Sequence, residues 1–480
     1  MGTTDFYIRL NRITDYIQKN VRYFVVERGI GGLQAHPAAD IFRNHYGDCK
    51  DKTTLLISML QVAGIQAYYV PVDDRRGVVD PNEPSIYGNH MITAIEIPDT
   101  VQDARLQAVV KAKNGKRYLI FDPTNERTPV GNLPSYEQGS YGLLATGSAS
   151  QILALPVLDP DSNGTENKDT FTLESDGSLT GSVDTSHTGP DGADLRMMLK
   201  YTDEKERHDY LERTIGHDIH GVTLDSFNFI QPDALDKPIE FQYKVTAPQY
   251  AHVAGPLLLV RPRVVGDDAI SFDEKPRTLP IEFEATGRWR DSFDITLPPG
   301  YVVDETPEPV NVKLDFADYH SSVTAKGNVL HYERELVVRQ VEIPASRAAD
   351  FRKLQGEIEA DQQGAAVLKN NSHPLVMTKR AMFSGSASHP FSPLRIHLVL
   401  AKILSLKASP SHELSAFFSF PTSLRSISQS HRRLAHVSVL RGRWLRQRLA
   451  FCSLGQPRAG RRRAGHHGGF GGSARRPHLA

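Results

Sequence analysis

Cysteine is nearly absent: the 480 residues hold two, Cys49 and Cys452, far apart in unlike sequence. That excludes a disulfide framework and the paired spacing of a zinc site. Long apolar runs are missing as well; no stretch of about 18 apolar residues occurs, so no membrane-spanning helix is expected. The opening MGTTDFYIRLNRITDY has scattered charges and no apolar stretch, so it shows no signal peptide, and Phe6 spoils the faint likeness of Met1-Gly2 to a myristoylation start. Acidic residues all but vanish after Asn370, where residues 371–480 hold 18 Lys and Arg against the single acid Glu413. The even balance of 56 basic and 56 acidic residues therefore sums a tail of net +17 and a first portion, residues 1–370, of net −17.

The tail is rich in Arg, Ser, His and Gly, with few interleaved aromatics and no nucleic-acid-binding motif. No nucleic-acid partner is expected from it. Its composition is that of a disordered segment, or of out-of-frame translation of GC-rich DNA, and only Ile396–Leu406 offers apolar residues for a short amphipathic helix.

The first portion has the periodicities of a folded α+β protein. Phe6, Ile8, Leu10, Ile13, Ile17 and Val21 fall near a 3.6 period, followed by the β-prone Tyr23-Phe24-Val25-Val26 and a glycine-rich loop. In YGDCKDKTTLLISMLQVAGI, from Tyr46, an apolar stripe predicts a helix over 49–63 stopped at Gly64. Strands are predicted at 67–72, 91–97 and 116–121, the last halted by Asp122-Pro123-Thr124. One helix followed by antiparallel strands describes an α+β domain over 1–156. Beyond it, short alternating segments at 170–174, 178–184, 239–247, 292–297 and 329–338 predict two β-rich domains, 157–278 and 279–370. A helical patch at 192–215 interrupts the first, and a closing helix with a last strand, within 346–369, ends the second.

Cys49 falls where its helix begins, with Asp48 suited to the N-cap. Free amides and the helix dipole favour a thiolate there. Lys50 and Lys52 add positive charge and are expected to point to solvent. A cysteine nucleophile needs a base and a group to orient that base. His90 precedes one strand and Asp122 ends the next, so antiparallel pairing of those strands carries both over the helix start. Singly, His90 is an ordinary strand-end residue and Asp122 an ordinary turn; the ordered set points to catalysis.

YGDCKDKTTLLISMLQVAGIQAYYVPV (46–72), NHMITAIEI and YLIFDPTNE resemble the transglutaminase-like cysteine superfamily, in particular bacterial transglutaminase-like proteins with flanking β-domains of unassigned function. The likeness covers about residues 5–150, and 157–370 follow the β-rich part more loosely. It implies a transglutaminase-like, papain-like core with Cys49 as nucleophile, His90 as general acid/base and Asp122 as its orienting residue. The backbone N–H of Cys49 is the expected oxyanion donor, with Tyr23 a second candidate. Such relatives usually carry an N-terminal β-domain, often behind an export signal to the periplasm or envelope, so a truncated start is expected. The implied activity is attack on peptide or carboxamide bonds through a Cys thioester, hydrolysis ahead of transamidation, on a protein or peptide substrate. The alternative is a non-catalytic binding module on the same scaffold.

Other polar groups carry less. His208 with His217, Asp218 and His220 offers ligand types without a suitable third ligand. Asp267-Asp268 and Asp273-Glu274 lack the spaced oxygens of a calcium loop. Asp73-Asp74-Arg75-Arg76 reads as a solvated turn at the rim of the cleft. No metal and no cofactor are expected.

Overall fold

Asp5 accepts the amide proton of Ile8 at 2.8 Å and opens α1 (Phe6–Asn20). Its buried stripe is Tyr7, Leu10, Ile13 and Ile17; Ile8, expected in that stripe, faces solvent. The computed structural model describes residues 4–25, 29–73, 76, 81–82, 88–266 and 277–371. The acid pairs at 267–274, the side chains of His217 and Asp218, residues Asp74 and Arg75, and the tail from 372 onward lie outside the described residues.

After α1, β1 (Arg22–Tyr23) pairs in parallel with β2 (Tyr46–Gly47), and between them lies α2 (Ala38–Asn44), closed by His45 in the left-handed conformation. Next comes α3 (Cys49–Val62), ended by Gly64 at φ 73°, a conformation that favours glycine. Then follow β3 (Ala67–Val72), β4 (His90–Ile97), β5 (Val109–Lys111), β6 (Arg117–Phe121), β7 (Tyr141–Leu144) and β8 (Gln151–Ala154). They form one antiparallel sheet in the order β5-β6-β4-β3-β7-β8. Leu55, Leu56 and Leu60 of α3 share a core with Ile92 and Ala94 of β4 and Ile120 of β6. This packing seats the amino end of α3 beside the end of the sheet where β4 begins and β6 stops.

The remainder is β-rich. β9 (Gly164–Leu173) and β10 (Leu179–Thr188) lead into α4 (Gly189–Tyr201) and α5 (Glu204–Asp218). The single predicted helical patch is thus two helices, because Asp203 builds a new N-cap, reciprocated by Glu206, immediately after an extended Thr202. β11 (Thr223–Ile230), β12 (Ile239–Ala247), β13 (His252–Ala254), β14 (Leu257–Val260), β15 (Ile281–Glu282) and β16 (Gly287–Thr296) follow. Last come β17 (Tyr301–Glu305), β18 (Val310–Lys313), β19 (Ala317–Lys326), β20 (Val329–Val338), β21 (Glu342–Ile343), α6 (Ala348–Gln363) and β22 (Ala366–Asn370). An eight-stranded sheet runs β11-β12-β10-β9-β16-β20-β19-β18, and a four-stranded one runs β13-β14-β22-β17. Both draw strands from either side of residue 278, where sequence pattern predicted a boundary between two domains. The join in the larger sheet is the parallel pair β9–β16, with Gly164 to Thr172 beside Arg288 to Thr296. Parallel neighbours need a long crossover, and local pattern does not announce their pairing.

Polar groups are buried inside this β-rich part. Asp361 of α6 accepts hydroxyl bonds from Tyr319, Ser321 and Tyr332, each at 2.6 Å. Asp291 meets Arg263 and Arg334, all three nearly inaccessible. Asp169 on β9 is less well served: one carboxylate oxygen accepts the Asp184 amide at 3.0 Å, and the other has no hydrogen-bond partner. Burial pushes its carboxyl up to about 8, with the Asp184 amide opposing and the Asp291 and Asp184 charges adding. The folded pKa thus lies above the unfolded value of about 3.9, so this site favours folding at low pH and loses that contribution as pH rises through about 8. Replacing Asp169 by Asn should stabilise the protein by about 1–3 kcal/mol at alkaline pH and by less under acid conditions. Melting curves of both chains across pH measure this; an equal shift at every pH would refute it.

Candidate active site

The amino end of α3 is held by a capping box. Asp48 accepts the Asp51 amide and Asp51 returns a bond from the Asp48 amide, both at 3.3 Å. The Lys52 amide closes the first helical turn on the Asp48 carbonyl. Among the described residues the amides of Cys49 and Lys50 have no acceptor, which leaves two donors beside the Cys49 side chain. Asp51 also binds His36, accepting its amide at 2.8 Å and meeting Nδ1 at 3.1 Å. A Cβ at Gly47 would fall 2.5 Å from the Asp51 Cβ, so this approach requires glycine.

The two lysines are not solvated as expected. Lys50 is buried and pairs with Asp48. Lys52 is 0 % exposed and donates to the Val21 carbonyl at 2.8 Å. Burial lowers the Lys52 pKa to about 8, while Glu126 and Asp122 oppose the drop. The Lys52 stem folds back to Val21, between α1 and β1, a tertiary circumstance the helical period does not carry.

His90 begins β4 opposite Val72 of β3, and Thr53 of α3 donates to the neighbouring Met91 carbonyl at 3.0 Å. β4 and β6 are antiparallel with Thr93 opposite Phe121, so Asp122, the first residue beyond β6, arrives beside His90. The His90 Nε2 lies 3.3 Å from Asp122 Oδ2, 3.4 Å from Thr124 Oγ1 and 3.8 Å from Glu137 Oε1. The Cys49 side chain is among the groups that act on the imidazole. Nε2 faces the carboxylates. Asp122, 1 % exposed, accepts further bonds from the Thr124 amide (2.8 Å), the Thr124 hydroxyl (2.7 Å) and the Tyr136 hydroxyl (3.1 Å).

Burial by itself would lower the His90 pKa. The Asp122 charge, bonds to Asp122 and Cys49 and the Glu137 charge outweigh it and raise the value to about 11. Burial likewise pushes the Asp122 carboxyl up, but His90 and Thr124 win and hold it below its ordinary value. Tyr136, pressed against Asp122 and buried, keeps its proton far above its usual range.

The structure thus brings together Cys49, His90 and Asp122. Tyr23 lies on β1 across from Gly47, two residues ahead of Cys49, with its ring 40 % exposed. Sequence reading missed Thr124, Tyr136 and Glu137. Thr124 had a local signal, since a residue two beyond an Asp commonly bonds back to its carboxylate. Glu137 and Tyr136 had none; only the fold carries their loop under His90. The side chains of His90, Asp122 and Glu137 present ligand-type atoms within 4.8 Å of one another. Asp122 already accepts from Thr124 and Tyr136, and His90 Nε2 lies against Asp122 and Thr124. Of the other histidines, His208 leans on the Phe227 ring and His220 is exposed.

The family model described as the transglutaminase-like superfamily matches residues 1–123, a span that contains Cys49, His90 and Asp122. This segment is transglutaminase-like. A second model, described as a domain of unknown function with a solved structure, DUF3858, matches residues 258–368, from β14 to β22. No curated protein matches the chain. Among solved structures, a candidate protease from Parabacteroides distasonis is similar at 11% identity and a TM-score of 0.41, the match covering 77% of this chain and 53% of that one. The chain therefore spans about half the length of that structure. Cys49 is partly exposed, His90 is largely buried, and Asp122 beside it is sealed from solvent.

Proposed function

We infer that residues 1–156 form a catalytic domain that cleaves peptide or carboxamide bonds through a thioester on Cys49. The observation that carries this is the His90 imidazole, held 3.3 Å from the buried Asp122 and influenced by Cys49, at the amino end of a helix. The Cys49 sulfur, its proton held by His90, attacks the carbonyl carbon, and the carbonyl electron pair moves onto oxygen. The amides of Cys49 and Lys50 receive that oxyanion. Its collapse breaks the C–N bond, and His90 hands the proton to the departing amine. Water then adds to the thioester carbonyl while His90 takes its proton, and collapse returns the thiol and a carboxylic acid. Cys49 is partly exposed, and a solvent-reached thioester favours water over a competing amine, hence hydrolysis over transamidation.

Alkylation tests this before any substrate is known. In the full chain with Cys452→Ser, so that Cys49 is the sole thiol, iodoacetamide should modify Cys49 at about pH 6, where a free thiol near 8.5 barely reacts. His90→Ala should slow that reaction by about tenfold or more at the same pH. Equal rates in both proteins, with both folded by circular dichroism, would remove the enzyme reading.

A further inference from the structure

A cavity of about 410 Å³ opens where the loop after Asp122 meets α4, α5 and β11. Its cations are Arg127, Arg196, Lys200 and Arg207, and its apolar wall is Phe227 and Phe229, the latter stacked on Phe241 at 4.5 Å. The two acids of the lining, Glu204 and Asp233, are exposed. Arg196 is 3 % exposed and donates to the carbonyls of Pro232, Ala234 and Lys237, not to a carboxylate. Arg207 is likewise held by the Leu199 and Thr202 carbonyls. The Arg127 Nε is buried and has no hydrogen-bond partner. The Arg196 and Arg207 guanidiniums are oriented by main-chain carbonyls, and Arg127 meets the exposed Asp233 at 3.4 Å, inside a first portion whose net charge is −17. Local positive potential here is built, not inherited from the overall charge.

Arg127 links the cavity to the loop after Asp122. Arg127 lies five residues past Asp122, and its amide donates to the Asn125 side chain at 2.9 Å. Gln18 fastens that loop through the Asn125 and Thr128 carbonyls. Arg127 also lines a smaller hollow that reaches Tyr136, the residue bonded to Asp122. Lys200 pairs with Glu126 across the same junction.

We propose that this cavity is the recognition subsite for an acidic peptide, taking a Glu or Asp carboxylate among the arginines and an adjacent apolar side chain against the phenylalanines. Charge-assisted pairing with an arginine fork fits a planar carboxylate, and the aromatic wall supplies the apolar half of the contact. As a substrate subsite it rests on the acyl-transfer reading; as a binding site it does not.

The test therefore reads binding in a chain that cannot turn over, Cys49→Ala, using fluorescein-labelled Gly-Glu-Phe-Glu-Gly and its Gln counterpart in fluorescence polarisation. The expected result is saturable binding of the Glu peptide alone, weakened about tenfold or more when Arg127→Gln or Lys200→Gln is added. The binding should also fade between about 50 and about 300 mM salt, as screening demands. Lys200 stands near the surface, so its variant keeps the test alive should Arg127→Gln unfold. Equal binding of the two peptides, no response to either variant, or tighter binding of inorganic pyrophosphate than of the peptide would overturn the proposal. Loss of Cys49 reactivity with peptide binding intact would sink the catalytic reading and leave this one standing.

Discussion

Asp122→Asn should reduce turnover by about 10³–10⁴-fold while leaving Cys49 and His90 in place. Asp122 is the largest of the influences that raise His90, whose folded pKa of about 11 exists against the cost of burial. Asparagine fills the same space, and its oxygen can still accept from Thr124, but it removes the charge and can turn an NH₂ toward Nε2. The imidazole is then free to lose its proton near neutrality or to adopt the tautomer with hydrogen on the wrong nitrogen. Stability follows the same pair. His90 is raised, so its contribution is fully present below its unfolded value of about 6.5 and is lost as pH climbs through about 11. Asp122 is lowered, so its own contribution holds above about 3.9 and disappears as pH falls. The variant should therefore lose most, about 3–5 kcal/mol, between roughly pH 4 and 6.5, and the gap should narrow toward alkaline pH. Ring resonances of His90 followed from pH 6 to strongly alkaline solution decide the matter. Persistent imidazolium in wild type and a titration shifted down by several units in Asp122→Asn is the expected pair; identical titrations would refute the assignment.

The second large effect belongs to Arg76, which braces the segment that carries Tyr136 and Glu137. Its guanidinium donates to the carbonyls of Gln138 (2.6 Å) and Ser135 (3.2 Å), ahead of β7, and to Phe283 (2.7 Å) and Glu284 (2.6 Å) beside β15. One side chain thus satisfies four carbonyls from segments far apart in the chain. Burial lowers its pKa, opposed by the Glu282, Glu284 and Glu342 charges. Arg76→Ala would strand these acceptors and cost about 3–5 kcal/mol. Arg76→Lys should recover only part of the loss, because an ammonium lacks the planar fork that reaches all four at once. Calorimetry would show the lowered melting temperature, and a split into two transitions if the two portions lose their coupling. A change under about 0.5 kcal/mol, as for a surface residue, would show that Arg76 is solvated after all.

Arg76 also shows what a local reading misses. Asp73-Asp74-Arg75-Arg76 has the composition of a solvated turn, yet Arg76 serves as an interior clamp because β15 and the Ser135–Gln138 loop converge on it. Lys52 repeats the lesson: one turn past Cys49 it has the chemistry of a surface residue, and α1 and β1 close over it. Glu137 gives no signal at all, being an acid in a loop whose burial under His90 exists only in three dimensions.

What the amino-acid order determined by itself was the local part: the helix that starts at Cys49 with its Asp48 cap and Gly64 stop, the strands that carry His90 and Asp122 at their ends, and the alternating segments beyond. Caps, turn residues and hydrophobic period act over a few residues, so they are readable without a fold. Tertiary structure decided which charges are buried, which partners surround His90, and that strands on both sides of residue 278 share sheets. Those outcomes depend on pairings such as Gly164 to Thr172 with Arg288 to Thr296, whose free energy comes from surfaces brought together across more than a hundred residues rather than from any pattern within either strand.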